Sequence, residues 1–176
     1  TDKPKCAGCD IRVVGVGGAG GNAVSRLPEW LMADKSISAL SANTDEQALY
    51  EGTGASAPGD KLLLGGKNDK LRGRGAGGDA AVGARAAEAS IGDVRSWLQG
   101  ADLVFVAAGL GGGTGSGAAP VVCRAARELG ALVVGVVQTP FNFEGAKRAK
   151  TTTAARAEMA AQCDVLLAVH NDRLQQ

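Results

Sequence analysis

Large side chains are scarce in this chain. Aromatic residues make up 3% of its 176 positions, as three Phe, two Trp and one Tyr, so the core must rest on small apolar side chains and close backbone contact. A surplus of charge is missing as well: 19 Lys and Arg stand against 18 Asp and Glu, for a net charge of +1. That balance argues against nucleic acid or an anionic membrane as a bulk electrostatic partner, because there is no excess of cations to release counterions. The longest apolar runs, 103–108 and 132–137, are far too short to cross a bilayer, so no direct membrane insertion is expected. The chain opens Thr-Asp-Lys-Pro-Lys without a basic stretch followed by an apolar one, which gives no secretory signal and points to the cytoplasm.

Histidine is nearly absent, with His170 alone, so no Ser/His/Asp arrangement can be assembled around it. The four cysteines include one Cys6-Ala7-Gly8-Cys9 pair and no second pair, while a structural zinc needs four ligands. Free thiols in a reducing compartment are the reading, and no metal site is expected.

Glycine is what the chain has in excess: 27 of 176 residues, roughly twice the usual share. It clusters at 15–21 (GVGGAGG), 73–78 (GRGAGG) and 109–117 (GLGGGTGSG). The first and third clusters follow the apolar runs Ile11-Arg12-Val13-Val14 and Leu103-Val104-Phe105-Val106, and each leads into an alanine-rich segment of helical spacing. Strands are predicted at 11–16, 37–42, 61–64, 103–108, 132–137 and 165–169, and helices at 21–33, 45–51, 79–98, 117–129 and 145–162. Asp79 is the expected N-cap of its helix, and Gly130 the glycine that closes the helix before it. The strands lack polar alternation, which predicts burial on both faces of a mostly parallel sheet. Alternating strands and helices give an α/β doubly wound fold with helices on both faces: a lead-in over 1–10 and one domain over 11–176.

A glycine turn feeding a helix start leaves backbone N–H groups free to surround an anion, and the helix dipole favours negative charge there. Several phosphates, hence a nucleotide, are the natural guests; tight turns and close helix packing are the plainer use of the same glycines. Gly15-Val16-Gly17-Gly18-Ala19-Gly20 matches the dinucleotide fingerprint in form, which keeps an NAD-type binding module open as an alternative. No Walker A loop exists, since Gly66-Lys67 is followed by Asn68 and position 61 is Lys. The third cluster belongs to neither pattern.

Gly111-Gly112-Gly113-Thr114-Gly115-Ser116-Gly117 resembles the signature of the tubulin/FtsZ superfamily, in its FtsZ-type spelling. Residues 11–27 resemble the first strand and phosphate loop of that family, Asn43-Thr44-Asp45 the second loop and Gly75-Ala76-Gly77 the third. Residues 100–122 come near a family consensus, 140–148 (PFNFEGAKR) resemble the fifth loop, and Asn171-Asp172-Arg173-Leu174 the end of the last strand. The resemblance runs in family order along essentially the whole chain. It implies a Rossmann-like GTPase domain with GTP or GDP as ligand, and admits Mg2+ beside GTP. By the same resemblance, Gly18, Ala19, Gly20, Gly21 and Asn22 would follow the phosphates, and Asn43 and Asp45 would belong to the site's second loop. Gly113, Thr114 and Gly115 would wrap the β-phosphate, with the Thr114 hydroxyl as an added donor, and Gly111 and Gly112 of the same loop would also bind the nucleotide. Ala76 and Gly77 would sit near the γ-phosphate. Glu144 and Arg148 would meet ribose and phosphate, and Asn171 would read guanine.

Departures from the family pattern are His170, where proline is usual, and Gly78 and Ser116 for Ala and Thr. The chain also stops at Gln176, where the family continues into a central helix and a second domain bearing an acidic loop. The expectation is a nucleotide-binding half whose catalytic residues come from a neighbouring subunit. Its partners would be other FtsZ-type subunits in a head-to-tail filament, or a separate C-terminal domain, in a cell-division cytoskeleton at the inner face of the membrane.

Overall fold

The apolar runs and alanine-rich segments alternate in space as they do in sequence. The computed structural model describes residues 8–51, 57–66 and 71–171; the Cys6 end of the lead-in and the segment 172–174 lie outside them. β1 (Ile11–Val16) leads into α1 (Gly17–Ser25) and α2 (Glu29–Met32), followed by β2 (Ile37–Asn43), α3 (Glu46–Tyr50) and β3 (Asp60–Leu63). Then come α4 (Ala80–Ala89), α5 (Ile91–Leu98), β4 (Leu103–Gly109), α6 (Gly113–Glu128) and β5 (Leu132–Thr139). A 3-10 turn (Asn142–Glu144), α7 (Ala146–Gln162) and β6 (Val165–His170) complete the order.

The strands form one parallel sheet in the order β3-β2-β1-β4-β5-β6. The direction of winding reverses between β1 and β4, which opens a crevice at their carboxyl ends. Register assigns the faces. Gly15 lies beside Ala107, and α1 rests on that face so closely that a Cβ on Gly15 would come 2.2 Å from the Gly20 carbonyl oxygen. The opposite face carries Val14, Val106 and Gly135 in register, and there Val122 of α6 and Met159 of α7 close the main core. A smaller cluster of Val24, Ala39 and Ala57 lies under α1. Helices on both faces of a doubly wound parallel sheet are what the alternation predicts.

Burial on both faces does not extend to the far edge. Val133, Gly135 and Val137 of β5 are buried, but Leu132, Val165 and Leu167 on the α1 side are exposed. The reason is reach: among the strands, α1 packs mainly on β1, β2 and β4.

Three helices also depart from expectation by more than one residue. The first helix starts at Gly17, not 21, and ends at Ser25, because Pro28 fixes its own φ and disfavours helical backbone at Leu27. The helix predicted over 79–98 breaks at Ser90, whose hydroxyl accepts from the Gly65 N–H at 2.9 Å. α6 begins at Gly113 rather than 117. Asp79 does cap α4, accepting from the Ala81 N–H at 2.8 Å. Gly130, at φ +90°, closes α6 as expected, with the Ala131 N–H returned to the Ala126 carbonyl.

Candidate functional site

Helix starts leave N–H groups without intrahelical partners, so each start needs a cap, water or a ligand. α3 and α4 are capped by Asp45 and Asp79. α1 and α6 have no side-chain cap: the residues before them are Val16 and Gly112, which offer no acceptor. Both uncapped starts face one cavity of about 320 Å³ at the carboxyl ends of β1 and β4. Gly17, Gly18 and Ala19 line it from α1, and Gly112, Gly113, Thr114 and Gly115 from α6. Among the described residues no Lys or Arg lines it. The attraction for an anion there comes from backbone donors and two helix dipoles, not from side-chain cations.

The glycines of this region divide by what a Cβ would meet. At Gly18, Gly21 and Gly112 it would point into open space. At Gly113 it would come 2.8 Å from Ala76 Cβ and 2.9 Å from the Asp79 nitrogen, at Gly115 2.2 Å from the Gly109 carbonyl oxygen, and at Gly117 1.9 Å from that of Ala80. The signature glycines within α6 therefore let α4 and the sheet approach the helix, and Gly112 faces the cavity. Gly17, at φ +72°, makes the turn out of β1 that brings α1 against the Gly115 nitrogen.

Gln138 and Thr139 at the carboxyl end of β5, Pro140 just after it, Glu144, and Asn171 after β6 line the cavity as well. Glu144 is the carboxylate on its wall. One Glu144 oxygen accepts from the Phe141 N–H at 2.8 Å, and the other pairs with Arg148. A second cavity of about 480 Å³ adjoins the first at Gly17 and Gly18. It is lined by Gly21, Asn22, Ser41, Asn43 and Asp45, among others, and the buried Ser41 hydroxyl has no partner there.

Most of the sequence-predicted residues thus meet. Gly18, Ala19, Gly112, Gly113, Thr114, Gly115, Glu144 and Asn171 share the first cavity, and Gly21, Asn22, Asn43 and Asp45 the second. Gly20 instead lies buried against the Ala107 carbonyl, Gly111 packs beside Pro140 and Thr152, and Ala76 is buried under Gly113. Gly77 is exposed, and Arg148 is more than half exposed while it pairs with Glu144. Gly17, Gln138 and Thr139 were not expected; the signal for the last two was their place at the carboxyl end of a parallel strand. Thr44 was named only within its loop, yet its Oγ1 lies 2.6 Å from Thr114 Oγ1.

The described cysteines, Cys9, Cys123 and Cys163, do not line these two cavities. Cys123 and Cys163 have their sulfurs 3.5 Å apart. That contact, then burial, pushes the Cys123 thiol up, and the same contact holds Cys163 below its ordinary value. Among the described residues no group of three or more His, Cys, Asp or Glu is placed to hold a metal.

The tubulin/FtsZ family, GTPase domain, matches residues 10–176. An empty FtsZ dimer from M. jannaschii is similar at 36% identity and a TM-score of 0.86, over 97% of this chain and 47% of that one. CetZ2 from Haloferax volcanii, a GTPγS-bound protofilament, is similar at 31% identity and 0.82, over 95% and 51%. CetZ1 from the same organism, a GDP-bound monomer, gives 26% and 0.79, over 95% and 52%. The chain spans about half the length of these solved structures.

Proposed function

The chain belongs to the tubulin/FtsZ family as its GTPase domain, and we propose that it binds GTP and GDP in the crevice between β1 and β4 and works within a head-to-tail polymer of the cell-division cytoskeleton in the cytoplasm. One observation carries the binding site: two uncapped helix starts, of α1 and α6, face a single cavity. In this reading the N–H groups of Gly17, Gly18 and Ala19 and of Gly112 to Gly115 hold the phosphates. Asn171, at the far end of the cavity, meets the guanine edge with its amide. Glu144, held in place by the Phe141 N–H and Arg148, accepts from ribose hydroxyls. The second cavity, with Asn43 and Asp45, takes the terminal phosphate. A Mg2+ ion beside GTP would rest on phosphate oxygens and water with one carboxylate such as Asp45, since the described residues build no protein cage for it. The dinucleotide alternative is not favoured, because the family that matches residues 10–176 is the tubulin/FtsZ GTPase domain.

Hydrolysis needs a positioned water as well as stabilised phosphate charge. In this reading Glu144 serves the ribose and Asp45 caps α3, and the water-orienting group comes from a neighbouring subunit. Support for assembly is that the similar FtsZ is a dimer and the similar CetZ2 a protofilament. The test is phosphate release from GTP across chain concentrations, with and without a second-domain fragment of an FtsZ relative. The chain alone should show negligible turnover, and the fragment should raise it. Robust turnover by the lone chain, linear in its concentration, would contradict the shared site.

A further inference from the structure

Thr44 sits in the turn between β2 and α3 with its side chain fully buried, and its one hydroxyl partner is Thr114 at 2.6 Å. Two hydroxyls carry two hydrogens, and the bond between them uses one. If Thr114 donated, the Thr44 hydrogen would be left in the interior; among the described residues it has no other acceptor. A buried orphan donor is disfavoured. If Thr44 donates, both groups are satisfied, and the Thr114 hydrogen remains for the cavity that Thr114 lines. The Thr44 backbone is held from the other side: the Gly75 N–H donates to its carbonyl at 3.1 Å, and Asp45 bridges Arg74. The donor therefore stands on a fixed frame.

We infer that Thr44 is a positioning residue for the anion site: by donating to Thr114 it turns the Thr114 hydroxyl into a hydrogen-bond donor aimed at the bound phosphate. Thr44 touches no ligand itself. The inference rests on the nucleotide reading above. It adds that a residue 70 positions away from Thr114 sets which hydrogen meets the anion.

The test compares the 176-residue chain with Thr44→Val, Thr44→Ser, Thr114→Val and the Thr44→Val/Thr114→Val pair. GDP and guanosine are titrated against each by NMR. Thr44→Val should weaken GDP by about tenfold, the effect of one hydrogen bond to a charged group, and leave guanosine unchanged. Thr44→Ser should restore GDP affinity, and Thr44→Val should cost nothing further once Thr114 is Val. If the valine variant does not fold, Thr44→Ala is carried through the same titrations. Unchanged GDP affinity in the non-hydroxyl variant, equal loss of GDP and guanosine, or full additivity with Thr114→Val would overturn the inference. Failure of the unsubstituted chain to bind GDP would overturn the nucleotide reading along with it.

Discussion

Single residues in the glycine loops do two different jobs, and substitution separates them. Gly112 has φ −90° and ψ 179°, ordinary extended backbone, and nothing within 4 Å of where a Cβ would be. Gly112→Val should fold normally and abolish GDP binding, because its branches enter the phosphate space; calorimetry on the folded variant checks this. Gly117→Ala should do the reverse. Its Cβ would sit 1.9 Å from the Ala80 carbonyl oxygen, so α4 must move off α6 at a cost of about 1–3 kcal/mol, read from denaturant unfolding. The thiols offer a residue-scale test away from the site. Cys163 is held below the ordinary value of 9.0 by its contact with Cys123, while Cys123 is raised. The thiolate is the nucleophile, so iodoacetamide should label Cys163 ahead of Cys123, with the lead widening as pH falls from 9 toward 7. Peptide mass spectrometry reads the order.

Among the helices, α3 and α4 start on an Asp cap, whereas α1 and α6 start without one and face the cavity. α2, α5 and α7 also lack a side-chain cap, so it is the shared cavity that sets α1 and α6 apart. Asp79→Ala removes the acceptor for the Ala81 N–H and should cost α4 about 1 kcal/mol of stability, leaving GDP affinity unchanged. The start of α6 offers no cap to remove, and its stabilisation should come from ligand. Strand, glycine turn and helix were legible in sequence because Val and Leu runs stop abruptly at glycine. The helix starts were not, since Gly17 to Gly21 and Gly113 to Gly117 have poor helix propensity and are helical through packing against Ala107, Gly109 and Ala80. The break at Ser90 was hidden for a similar reason: its partner, Gly65, lies far off in sequence. Thr44 escaped notice likewise, because its role is defined by a contact with Thr114 that no local pattern announces.

Across the sheet, the parallel order opens a crevice at the reversal between β1 and β4, where ligands of doubly wound sheets sit. The same order leaves Leu132, Val165 and Leu167 bare on the α1 side of β5 and β6. Exposed apolar sheet surface promotes self-association. Leu167→Lys should therefore raise solubility and leave both the fold and GDP affinity intact, as checked by light scattering and calorimetry.

In the proposed reading, the backbone donors at the starts of α1 and α6 hold the phosphates of a guanine nucleotide. A ¹⁵N–¹H correlation spectrum of the labelled chain, recorded as GDP is added, tests it directly. The amides of Gly17, Gly18, Ala19, Gly112, Gly113, Thr114 and Gly115 should move together along one saturable curve. Those of Ala48 and Ala81, already bonded to Asp45 and Asp79, should stay in place. An equal ADP titration should give markedly weaker saturation. Shifts confined to other surfaces, or a saturating response that spares both glycine-rich helix starts, would contradict the account.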